Sequence, residues 1–169
     1  MEQKLKKVLF ITNIPAPYRI DFYEVLGQHC DLTVLFEAKR VSGITFNWKE
    51  NRIENFKAIF LKEGEIEEKK INWKIFKYLR KMDYDHVLVT NYAYFTEMVA
   101  LLAIKLRRIS YFYELDGAMV GYGENALRRK FKSFFLKGAK AYFSPSSVSD
   151  EYVRYYAGEN VKIHRYPFS

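Results

Sequence analysis

Glu114 and Asp116 stand two residues apart where the apolar run "SYFYEL", 110–115, gives out. In a strand that spacing sets both side chains on one face. Carboxylates there can hold sugar hydroxyls or assist proton transfer, or they can cap and hydrogen-bond the glycine-containing loop that follows. A second group lies in "NIPAPYRIDF", 13–22, just after the first apolar run. Proline fixes φ and biases the preceding residue towards extended backbone, so Pro15 and Pro17 preset the turn from which Tyr18 and Arg19 would project.

These residues are useful only if the fold gathers them. Short apolar, β-branched or aromatic runs recur at 8–12, 32–36, 58–61, 86–90, 110–115, 141–144 and 161–166, mostly without alternation, as in strands buried on both faces. Between them lie helical patterns. The first is marked by Ile20, Tyr23 and Leu26–Gly27, the second by Ile75, Phe76, Leu79 and Met82, and the third by "TEMVALLAIKL". The fourth carries Leu127, Phe131, Phe134 and Phe135 and ends at Gly138, and "SVSDEYVRYYAG" opens with Ser147 or Ser149 as cap and ends at Gly158. Strand and helix in alternation imply right-handed βαβ units, hence one Rossmann-like, doubly wound, mainly parallel α/β domain over 1–169 with helices on both faces. The polar, basic stretch 38–56 is the exception, a hairpin or a long functional loop.

In such sheets ligands bind beyond the carboxyl ends of the strands. That rule selects Asn13, Pro17, Tyr18 and Arg19 after the first strand, and Asn91, Tyr92 and Tyr94 after "HVLVT". It adds Glu114, Asp116 and Gly117 after the fifth strand and Ser144 after "AYF". For "SPSSVSD", plain helix capping outweighs ligand contact. "GYGENA", 121–126, has the spacing of a dinucleotide fingerprint but follows a late strand, six residues beyond Leu115, and reads as a loop over the site. No Walker-type phosphate loop, nucleophile elbow or metal-like histidine spacing is present in the sequence, and no metal is expected.

Composition narrows the class further. Fourteen Phe and fourteen Tyr among 169 residues argue against disorder and for a ring-rich core. The single Cys30 fits a reducing, cytoplasmic compartment. The longest apolar runs fall far short of the ~20 residues that span a bilayer. A net charge of +8 favours anionic partners, yet no nucleic-acid-binding motif accompanies it, so nucleic acid ranks low. The run 128–140 has six basic residues and no acid, interleaved with aromatics. Arg128, Arg129, Lys130, Lys132, Phe135 and Lys137 are therefore expected to form a patch that attaches to an anionic membrane surface, against the plainer reading of a solvated helix face.

Four stretches then carry a resemblance across the whole chain: "VLFITNIPAPYRIDFYEVL", "VTNYAYFTEMVALLAIKL", "YFYELDGAMVGYGENALRRKFKSFFLKGAKAYFSPS" and "YVRYYAGENVKIHRYPFS". Together they resemble the N-terminal, acceptor-side half of GT-B glycosyltransferases of family 4, the retaining group that includes bacterial capsule and exopolysaccharide enzymes. The resemblance implies transfer of a sugar from a nucleotide-sugar co-substrate to a lipid-linked or polysaccharide acceptor, with no further cofactor, at or near the inner face of the cytoplasmic membrane. It also implies a C-terminal donor-binding domain in cis that this chain lacks, and an inactive isolated fragment. Glu151 and Glu159 have the spacing of the family's donor-site carboxylates, but the amphipathic "YVRYYAG" between them does not supply the family's context. By position, Tyr18 and Arg19 would contact acceptor or donor phosphate, and Glu114 to Gly117 would lie beside the reacting sugar, with Glu114 and Asp116 as catalytic candidates. Many relatives carry Gly-Gly in the first turn; Pro15 and Pro17 here favour an acceptor role. The alternative is a free-standing Rossmann-like domain that binds a nucleotide or phosphorylated ligand without catalysis.

Overall fold

Every apolar run picked out above becomes a strand of one sheet. The computed structural model describes residues 4–41, 53–67, 69–80 and 83–166. Its strands are β1 (Lys7–Thr12), β2 (Asp31–Phe36), β3 (Lys57–Phe60), β4 (His86–Val89), β5 (Phe112–Glu114), β6 (Tyr142–Ser144) and β7 (Ile163–Arg165). The helices are α1 (Pro17–Gly27), α2 (Ile75–Arg80), α3 (Phe95–Leu106), α4 (Ala126–Leu136) and α5 (Ser147–Ala157). All strand pairs are parallel, in the order β3-β2-β1-β4-β5-β6-β7. This is the expected Rossmann-like α/β fold. Met82 of the expected second helix, residues 42–52 of the irregular stretch and 167–169 of the closing motif lie outside the described residues.

Local chemistry accounts for the helix ends. Ala16 is extended, as a residue before proline should be, and Pro17 takes the first helical position, where its missing N–H costs nothing. Asn125 caps α4 by accepting from the Arg128 N–H at 2.8 Å. In α5 the cap is Ser146, not Ser147 or Ser149: Ser146 is the extended residue, and its hydroxyl accepts from the Ser149 N–H at 3.2 Å.

The helices divide unequally between the two faces. On one, α2, α3, α4 and α5 bury Ile75, Leu79, Leu101, Ile104, Leu136, Val153 and Tyr156 against Leu9, Ile11, Leu35, Val87 and Val89. On the other, α1 is the one helix among the described residues, and it lays Ile20 and Tyr23 over Val8, Phe10, Leu32, Val34 and Phe36. Phe56, at the end of the irregular stretch, packs its ring 5.7 Å from that of Tyr23. The point where strand order reverses lies between β1 and β4, so the ends of those strands and of β5 are where a ligand belongs.

Candidate functional site

The prolines hold the first turn as expected, but Arg19 does not project from it. It turns inward, 3 % exposed, because α1 starts immediately and its third residue faces the sheet. Its Nη1 lies 2.7 Å from Glu114 Oε1 and its Nη2 lies 3.3 Å from Asp116. Burial opposes the Arg19 charge, and the Glu114 carboxylate more than offsets that, raising its pKa above the ordinary arginine value. Burial pushes the Glu114 carboxyl up, and Arg19 opposes the push. Tyr166, just past β7, donates to Glu114 and, at 3.0 Å, to the Leu115 carbonyl. Tyr18 remains 44 % exposed and donates to Asp116 at 2.7 Å.

Glu114 and Asp116 thus share Arg19 and occupy different surroundings. Glu114 is buried, whereas Asp116 opens to solvent. Asp116 lines a cleft of about 320 Å³ with Thr90, Asn91, Tyr92, Gly117 and Tyr152. Within it the Tyr92 and Tyr152 hydroxyls meet at 2.5 Å, and the Tyr92 ring stacks on Phe135 at 5.6 Å. Asn91 Oδ1 accepts from the Ala93 N–H at 2.9 Å, fixing the start of that loop. Gly117 adopts φ +93°, a left-handed conformation that side chains disfavour, so the chain turns sharply away after Asp116.

The remaining expected residues are structural in place. Asn13 Oδ1 accepts from the Ile14 N–H at 2.7 Å and braces the turn, while Pro17 is exposed at the head of α1. Tyr94 is the extended residue before α3, and its N–H donates to Glu97 Oε2 at 3.3 Å. Ser144 is fully buried and donates to the Ser146 carbonyl at 3.0 Å, outside the cleft.

The basic patch also needs correcting. Phe135 belongs to the core beneath Tyr92, and Lys132 turns inward to Glu124 at 2.7 Å and the Tyr156 hydroxyl at 3.1 Å. Leu127, Phe131 and Phe134 instead form the outward stripe of α4, with exposed Arg128, Lys130 and Lys137 nearby, while Arg129 lies 4.3 Å over the Tyr155 ring.

Sequence reading missed two features. Tyr166 sits at the carboxyl end of β7, and the strand-end rule that selected the others would have found it. A second acidic pair, Glu37 after β2 and Glu97 at the start of α3, is buried on the same edge of the sheet. Burial lifts the Glu37 pKa to about 7; burial and then repulsion from Glu37 lift Glu97 to about 8. Neither sits in a pattern that announces burial.

The chain matches no family model, and no curated protein matches it. Among the described residues no cluster of three or more His, Cys, Asp or Glu could hold a metal ion, and no helix is long and apolar enough to cross a membrane.

Proposed function

We propose that this chain is the acceptor-side domain of a nucleotide-sugar-dependent, retaining glycosyltransferase of the family 4 kind, acting on a lipid-linked or polysaccharide acceptor. The observation that carries the reading is the cleft beyond β4 and β5, where phenol rings wall a concave space with Asp116 at its edge. Aromatic faces and a carboxylate are what a sugar ring with several hydroxyls requires. Tyr18 and Arg19 hold the Asp116 carboxylate by one hydrogen bond and one ion pair, leaving acceptor capacity for a sugar hydroxyl. Glu114 and Tyr166 keep Arg19 in place behind it. Removal of the acceptor proton and departure of the donor's diphosphate belong to a cleft completed by a donor-binding domain.

Calorimetric titration of the chain with a panel of oligosaccharides and of nucleotide sugars tests this. Glycans should bind, and Asp116→Asn should weaken them by about tenfold, the cost of one charge-assisted hydrogen bond. Binding of nucleotide diphosphates in this cleft without any glycan binding would favour the free-standing nucleotide-binding domain instead. In the complete transferase, Asp116→Asn should lower turnover more than donor affinity.

A second observation supports a location. Leu127, Phe131 and Phe134 are 78, 47 and 51 % exposed at i, i+4, i+7, with exposed Arg128, Lys130 and Lys137 on the same helix and its end. An apolar stripe bordered by cations suits the interface of an anionic leaflet, at about 1 kcal/mol per basic residue near the surface. Co-sedimentation with phosphatidylglycerol vesicles at low salt should capture the chain, phosphatidylcholine vesicles should not, and Phe131→Glu/Phe134→Glu should abolish capture. Equal behaviour with both lipids would remove the reading.

A further inference from the structure

The carboxyl edge of the sheet holds another hollow, away from the cleft at Asp116. Strand order sets β2 and β3 on the far side of β1 from β4 and β5, and beyond their ends lies a space of about 320 Å³. That is the scale of small-molecule sites, roughly 300–1,000 Å³. Glu37, the first residue after β2, lines it together with Lys62, Glu67, Lys70, Trp73 and Lys74 from the connection between β3 and α2.

The connection is tied down, so the hollow is preformed. Asn72 donates through its side-chain amide to the Leu61 carbonyl and through its N–H to the Thr96 hydroxyl, both at 3.0 Å. The same hydroxyl donates to the Lys70 carbonyl at 3.4 Å, which fastens the wall to α3. Lys62 and Lys70 both reach Glu67, at 2.5 and 2.7 Å, and draw that wall together.

Three chemistries meet in this space. Glu37 is 5 % exposed, and its Oε2 is buried with no hydrogen-bond partner among the described residues. Such an atom has lost its water and gained nothing, a cost that a ligand group reaching it would recover. Burial lifts the Glu37 pKa to about 7, so near neutrality the carboxyl can donate as well as accept, which matches a hydroxyl. The second chemistry is cationic: three ammonium groups stand against the one Glu67 carboxylate. Glu67 takes one donor from Lys62 and one from Lys70, leaving two on each for an anion. No lysine is among the groups that set the Glu37 pKa, so carboxyl and ammonium groups must meet different parts of a ligand. The third is Trp73, 67 % exposed and stacked on Phe76 at 5.8 Å, fixed on one face and open on the other. An open aromatic face receives the apolar side of a ring.

We propose that this hollow binds a sugar-sized ring bearing one oxyanion, a phosphate or a carboxylate, with a ring hydroxyl on Glu37, the oxyanion on the lysines and the ring against Trp73. The site is separate from the cleft at Asp116 and does not rest on the glycosyltransferase reading.

The test is titration of the isotope-labelled chain with the 6-phosphates and the uronic acids of glucose, galactose and mannose, the neutral parent sugars and inorganic phosphate serving as controls. At least one anionic sugar should bind saturably and shift the amides of Ala38, Ile66 and Asn72, leaving Asn91 and Gly117 unmoved. The two anionic series tell a phosphate from a carboxylate. The matching neutral sugar and inorganic phosphate should each bind at least about tenfold more weakly, because each lacks one of the contacts. Lys74→Gln and Trp73→Ala, both at the exposed rim, should each weaken binding by about tenfold, and Glu37→Leu should do the same from the buried side. Failure of every anionic sugar to bind, equal affinity for a neutral sugar or for inorganic phosphate, or shifts centred on Asn91 and Gly117 would overturn the proposal, the last by assigning the ligand to the cleft.

Discussion

Two acidic pairs lie along the same edge of this sheet and fare differently. Glu114 and Asp116 share a buried guanidinium, and one of them opens to a cleft. Glu37 and Glu97 are both buried, and no lysine or arginine is among the groups that set their pKa values. Burial alone favours the neutral acid, so what separates the pairs is the cation that α1 carries. A carboxylate held ionised for a ligand needs such a partner, whereas burial without one favours the neutral acid.

Breaking the cation should have the largest effect. Arg19→Ala leaves Glu114 buried and uncompensated and is expected to cost about 3–5 kcal/mol in urea unfolding. Adding Glu114→Leu to Arg19→Met should recover much of that loss, and a double-mutant cycle that shows simple additivity would deny the coupling. For the other pair the sign follows from proton counting. Their folded pKa values lie above those of the unfolded chain, so the native state binds more protons and stability falls as pH rises from about 5 to 8. The slope should be at most about 1.4 kcal/mol per pH unit for each group. Glu97→Gln should flatten the fall of Tm over that range, and an unchanged profile would place the charge elsewhere. Tyr166→Phe, which takes one donor from Glu114, should cost about 1–2 kcal/mol, measured the same way. Smallest of all, Asp116→Asn should alter stability by no more than about 0.5 kcal/mol while weakening ligands of the cleft.

The architecture was readable because it rests on pattern. Runs such as "VLFIT" and "HVLVT" are too apolar for a half-exposed strand, and helical spacing between them left one class of fold. The strand-end rule likewise brought Asp116, Asn91 and Tyr92 to one cleft. What stayed hidden depends on direction, which type and spacing do not give. Arg19 looked like a ligand-facing group because it follows the proline-set turn beyond the first strand, yet its place in the first turn of α1 aims it at Glu114. Phe135 directly follows Phe134, and the 100° turn between them is enough to send one ring into the core and the other into solvent. Ser144 was chosen by the strand-end rule, and its hydroxyl is used up locally.

Arg19 also joins a closed carboxylate to an open one. Glu114 is buried and Asp116 faces the cleft, and a single guanidinium answers to both. A change of charge or hydrogen bonding at either carboxylate therefore alters the field felt at the other. Linkage makes the effect reciprocal: whatever factor protonation of Glu114 applies to binding at Asp116, a ligand there returns to the proton affinity of Glu114.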